Sequence, residues 1–258
     1  MGTNKRDLRI GEKIKLKTGE YAQIIQYNSI KDISIQFDDG TIVHNIEYHN
    51  FKKGSIKNPN HPNVLGVANS GNEETSYIDE NGRKMSYHSY TTWYNMIRRC
   101  YDKKAKERQP AYQGALCCDE WLYYPNFKRW YDENYYTLDN QRMDLEKDIL
   151  FKGNKVYSPK TCIFVPHKIN TLFTRRYMGN LPPGVKKHKD NRKFLSVIGK
   201  NGKDCFLGSF DTPEEAFNTY KLAKEKYIKE VAEEYKDRIP EKLYNAMYQY
   251  ELENYKEN

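Results

Sequence analysis

Between Gly11 and Phe51 apolar residues alternate with polar ones, first at Ile14 and Leu16, then at Ile33, Ile35 and Phe37, then at Ile42, Ile46 and Tyr48. A period of two turns every second side chain to one face and predicts short strands. Thr18-Gly19, Tyr27-Asn28-Ser29 and Asp38-Asp39-Gly40 separate them. The last is hairpin chemistry, because glycine accepts the positive φ of a primed turn. The pattern predicts a small SH3-like β barrel over residues 1–60. Residues 61–86 are rich in Gly, Asn, Pro and Ser and read as a linker with one hairpin at Asn81-Gly82.

The period then changes. Trp93, Ile97 and Tyr101 recur at four-residue steps beside Met96 and Cys100, which predicts an amphipathic helix showing Arg98 and Arg99 to solvent. A second aromatic segment holds Trp121, Phe127 and Trp130. MDLEKDILFKGNKVYSPKTCIFVPHKIN, Met143 to Asn170, reads as two strands with a turn at Gly153-Asn154 and a helix from about Val165. Leu181 to Phe210 reads as three strands joined by turns. The helix after it, Thr212 to Tyr235, begins with a capping threonine, Pro213 and first-turn acids. Its stripe of Ala216, Tyr220, Ala223, Tyr227 and Val231 is expected to pack on Phe194, Val197 and Phe206. Ile239-Pro240 ends that helix, and a polar helix closes the chain. The fold class is α+β. Its parts are a barrel at 1–60, a linker at 61–86, a ββα unit with aromatic helices at 87–178, a three-stranded antiparallel sheet packed on a helix at 181–236, and a helical tail at 237–258.

Composition narrows the partners. Hydrophobic content of 38% and a mean hydropathy of −0.98 favour several small cores over one large one. Tyrosine, at 23 residues against 10 Phe and 3 Trp, closes thin cores while keeping a polar tip. The net charge of +8 favours anionic partners, nucleic acid first. No apolar run approaches the length of a membrane span, and MGTNKRDLRIGEK lacks the apolar region of a signal peptide. Five cysteines without paired spacing argue for reduced thiols in a cytoplasmic setting. Their spacings do not make a four-ligand zinc site, and Cys100, Cys118 and Cys162 are expected as small core hydrophobes.

Two stretches resemble known families. Leu145-Glu146-Lys147-Asp148, Gly153-Asn154, Tyr157-Ser158-Pro159, Cys162 and Asn170 look like the HNH-type endonucleases of phages and mobile elements. Trp93-x-x-Met96-x-x-Arg99-Cys100-Tyr101 and Cys118-Asp119-Glu120-Trp121 resemble the lead-in of such proteins. The resemblance implies a ββα-metal unit in which Glu146 and Asn170 hold Mg²⁺ and Lys147 stands at the general-base position. An ordinary lysine is protonated at neutral pH and cannot take a proton from water, so either another base acts or the scaffold serves binding. His167, one turn before Asn170, is a local partner of the site or a surface histidine.

Leu181 to Phe210 carries Lys186, Lys187, Lys189, Arg192, Lys193, Lys200 and Lys203 against Asp190 and Asp204. Gly184-Val185, Lys193-Phe194, Leu207-Gly208-Ser209-Phe210 and Asp211-Thr212-x-Glu214-Glu215-Ala216 resemble the apetala-type, or ethylene-response-factor, DNA-binding domain. That resemblance implies a sheet laid in the major groove of double-stranded DNA, with the seven cations and Phe194 as its contacts. The expectation is a DNA-binding protein in a bacterial or phage-infected cell, possessing an HNH-like scaffold that either cuts DNA with Mg²⁺ or binds it without cutting. A third expectation is an inhibitor whose N-terminal barrel binds a host factor.

Overall fold

The period-2 segments at the start of the chain form β1 (Lys13–Lys15), β2 (Tyr21–Ser29), β3 (Asp32–Phe37) and β4 (Ile42–Ile46), an antiparallel meander in that spatial order. This is seen in a computed structural model that describes residues 8–174, 181–190 and 192–254. The chain is α+β and divides into two units, residues 1–113 with 119–129, and residues 114–118 with 130–258.

In the first unit Ala22, Ile24, Ile33, Ile35 and Phe37 face one buried side of the meander. Tyr48, expected at the end of a strand, instead opens helix α1 (Tyr48–Lys52), which drives Phe51 into the same core. The sheet stays open, with β1 and β4 as its edges. Phe51 and Leu16 cover the apolar face that closure into a barrel would otherwise cover. Residues 61–86, expected as a linker, lie in this unit and carry buried Val64, Ala68 and Asn69. The Asn69 amide donates to the carbonyls of Pro59 (2.5 Å) and His61 (3.0 Å), and its oxygen accepts from Gly71 N–H (2.7 Å). The hairpin β5 (Ser76–Ile78) with β6 (Lys84–Ser86) turns at Gly82, as Asn81-Gly82 suggests.

Helix α2 (His88–Tyr101) buries Trp93, Met96, Ile97 and Cys100, the four-residue stripe read from the sequence. Asp102 ends it and caps α3 (Lys103–Arg108) through the Lys104 and Ala105 N–H groups. Trp93 Nε1 donates to Trp121 O at 2.7 Å, and Trp121 meets Phe127 of α4 (Tyr124–Asn134) edge-on at 5.0 Å.

In the second unit β7 (Leu116–Cys117), β8 (Met143–Glu146), β9 (Val156–Tyr157) and β10 (Ile163–Pro166) pair two by two, β7 parallel to β9 and β8 antiparallel to β10. Asn154 closes the loop between β8 and β9 by donating to Lys147 O and Val156 O, both at 2.8 Å. Helix α5 (His167–Phe173) begins later than the sequence suggests, because Val165 and Pro166 still pair with Asp144 and Met143. Strands β11 (Val185–Lys187), β12 (Phe194–Lys200) and β13 (Lys203–Phe210) form the expected three-stranded antiparallel sheet. Helix α6 (Pro213–Tyr235) packs on it, started by a capping box between Thr212 and Glu215, and α7 (Glu241–Tyr248) follows. Ile163, Val165 and Ile169 of the β8–β10–α5 unit share one buried core with Ile198 of β12 and with Tyr227, Ile228 and Val231 of α6. Hairpin and sheet therefore keep a fixed relation to each other.

Phe206 and Val197, both expected against α6, lie on the other face of the sheet. Phe206 is 65% exposed, on the sheet face opposite α6. A bulge between Ser196 and Val197 sets Val197 opposite Phe206 and Ile198 opposite Cys205. Alternation then turns Ile198, Cys205 and Leu207 to the shared core and sends Phe206 outward. Among the described residues no helix is long and apolar enough to cross a membrane.

Candidate functional site

In β8 the buried residues are Met143 and Leu145, so Asp144 and Glu146 share the other face. Helix α5 crosses behind that face and presents His167 and, one turn on, Asn170. Both reach the same carboxylate. His167 Nδ1 lies 2.5 Å from Asp144 Oδ2, and Asn170 Nδ2 donates to that oxygen at 2.9 Å. Arg142 Nε meets Asp144 Oδ1 at 2.9 Å. Burial alone would raise the Asp144 carboxyl, but the bonds from Asn170 and His167 and the charge of Arg142 outweigh it and hold the group below the usual carboxylate range. The Asp144 side chain is 11% exposed and that of His167 is 50% exposed. A partly buried anion thus orients an accessible imidazole.

Glu146 has a different environment. Its Oε1 accepts the N–H groups of Lys147 (2.7 Å) and Asp148 (3.0 Å). Burial, and after it the bond and charge of Asp148, push its carboxyl up to about 7. Burial would raise Asp148 as well, but the bonds from Glu146 and Lys147 and the Lys147 charge bring it below its ordinary value. Lys147 is buried; its ammonium binds Asp148 Oδ2 at 2.9 Å and lies 5.5 Å from the Tyr157 ring centroid. Held this way, the Lys147 nitrogen is committed to Asp148 and nearly closed off from solvent. Cys162 is buried, and desolvation pushes its thiol up to about 12, out of the range of a nucleophile.

The Mg²⁺ site implied by resemblance needs Glu146 and Asn170 on one ion. Asn170 meets Asp144 instead, and Glu146 directs Oε1 to backbone donors. Both Asp144 oxygens already have partners. As arranged, these residues do not fit an ion shared by Glu146 and Asn170. Asp144 and Arg142 were not singled out in the sequence. The signal was present for Asp144, since strand period 2 groups it with Glu146 and helix spacing groups His167 with Asn170. That the two pairs meet is a tertiary fact.

The expected nucleic-acid contacts divide. Lys186 crosses the outer sheet face to Asp204 at 2.8 Å, and Lys193 pairs with Asp211 at 2.6 Å. Lys187, Lys189 and Arg192 are exposed near the β11–β12 connection. Lys203 is exposed at the other turn, whereas Lys200 bends toward α6, to Glu230 at 3.2 Å and over the Tyr227 ring. The cations therefore sit at the two ends of β12, about 20 Å apart for a seven-residue strand. Phe194 packs against Val185, Ala216 and Phe217 on the helix side. Alternation makes it a core residue, and Phe206 is the aromatic ring on the outer face.

Comparison with protein-family models, curated proteins and solved structures returns no match to this chain.

Proposed function

We propose that this chain is a DNA-binding protein of phage or mobile-element type, in which an HNH-like endonuclease scaffold is joined to a C-terminal sheet that reads double-stranded DNA, and that it cuts the duplex. One observation supports this reading above the others. The β8–β10–α5 unit gathers an acid, a histidine and an asparagine at a solvent-accessible point, on the same core as a sheet whose ends carry exposed cations. Such a sheet would place DNA at a fixed distance from the site. Phosphates would meet Lys187, Lys189, Arg192 and Lys203, and Phe206 would offer an apolar contact to base edges. The finer architecture belongs to the same proposal, with an SH3-like meander at the start and a ββα-metal-type unit at the centre. So does dependence on Mg²⁺, which would require the carboxylates to exchange some of their present partners for the ion.

A second reading, DNA binding without cutting, is favoured by the burial and pairing of Lys147, which leave that position without a base. Purified protein incubated with supercoiled plasmid and Mg²⁺ or Mn²⁺ separates the two. Nicking that stops on chelation, with Glu146→Ala and with Asn170→Ala supports the nuclease. Intact plasmid across varied DNA sequences supports binding alone. Replacing Lys187, Lys189 and Arg192 together should weaken duplex affinity and reduce the slope of log affinity against log salt by about 2 to 3. Phe206→Ala should lower affinity about tenfold. An unchanged salt slope would place DNA elsewhere on the molecule.

A further inference from the structure

Lys147 leaves hydrolysis without a base at the expected position, yet the same face holds another candidate. A carboxylate can only accept, so the 2.5 Å contact with Asp144 makes His167 Nδ1 the donor. In the neutral ring this puts the lone pair on Nε2, the nitrogen that has no partner among the described residues, on a side chain that is 50% exposed. The ring is also fixed from its own backbone, because His167 N–H donates to Arg142 O at 2.8 Å. Among the described residues, few polar and charged groups surround this pair. Arg142 lies against the far oxygen of Asp144, Asn170 shares the near one, and Lys168 turns away to Glu234 of α6.

We propose that His167 is the general base of the hydrolytic reaction and that Asp144 is its positioning residue, an assignment that rests on the nuclease reading above. A water at Nε2 gives its proton to that nitrogen as its oxygen bonds to phosphorus. The bond from phosphorus to the leaving sugar oxygen breaks, and that oxygen takes a proton from solvent. The imidazolium then returns its proton to solvent through its open side. Water is the only co-reactant, and no electrons are transferred. The carboxylate acts as it does in other acid–histidine pairs, fixing the tautomer and stabilising the imidazolium.

The test uses the full chain, supercoiled plasmid and Mg²⁺ or Mn²⁺, with duplex affinity measured alongside by fluorescence anisotropy. His167→Ala and the bulkier His167→Gln should each slow nicking about 100-fold or more while affinity stays within about twofold. Added imidazole should restore part of the rate to His167→Ala only. Long-range ¹⁵N–¹H spectra, with the His167 signal assigned by its loss in His167→Gln, should show the proton on Nδ1. Asp144→Asn should populate the other tautomer and slow nicking, and Asp144→Glu should recover part of both. Nicking by His167→Gln at the wild-type rate, or a wild-type proton on Nε2, overturns the assignment and leaves the nuclease reading standing. A wild-type chain that binds duplex but never nicks it overturns the nuclease reading and the assignment with it.

Discussion

Glu146→Gln isolates the cost of a buried carboxylate. The glutamine oxygen can still accept the Lys147 and Asp148 N–H groups that Oε1 accepts at 2.7 and 3.0 Å, so the local turn is kept while ionisation is removed. In the folded chain burial and Asp148 raise Glu146 from 4.5 to about 7. A folded value above the unfolded one means that the folded chain keeps a proton the unfolded chain has released. Stability is therefore lost as pH rises from the unfolded to the folded value, and the loss is complete above about 7. A displacement of that size corresponds to about 3 kcal/mol at most. Asp148 is displaced the other way, to below its ordinary value, and so titrates outside the pH range of this measurement. Urea unfolding followed by circular dichroism should find the variant near wild type at a pH of about 4.5 and more stable by up to that amount at about 8.5. If the stability difference between the two proteins is the same at both pH values, Glu146 is not a buried, proton-holding carboxyl and the account of this face is wrong.

The remaining expectations concern the two frames that carry the surfaces. Asn69→Ala leaves two carbonyls and one N–H in the 55–75 loop without their partner and should destabilise the first unit by about 2 to 4 kcal/mol in denaturant titration. Gly184 has φ +77°, and a Cβ there would stand 2.0 Å from the Tyr220 ring. Gly184→Ala should therefore cost more than about 3 kcal/mol, against about 1 kcal/mol for Gly202→Ala, where a Cβ meets open space. Equal losses in thermal unfolding at the two glycines would contradict the close packing of α6 on the start of β11.

Local sequence determined the elements whose cause is local. The capping box of α6 needs only Thr212, Pro213 and Glu215 in order, and the hairpins at Gly40 and Gly82 need only a residue that tolerates positive φ. The Trp93, Met96, Ile97 and Cys100 stripe follows from helical period alone. The three strands before α6 were legible for the same reason, but their two faces were not. One bulged residue reverses which side chains point inward, so Phe206 emerges on the outside.

Tertiary structure alone decided the chemistry of the candidate site. Asp144 meets a histidine 23 positions and an asparagine 26 positions further along the chain, because an antiparallel pair carries α5 back across β8. Whether Lys147 faces solvent or an aspartate depends on what the hairpin packs against, and pairing with Asp148 above Tyr157 buries it. Periodicity tells which face of an element is apolar. It does not tell which faces meet, and a carboxylate takes its protonation and its role from those neighbours.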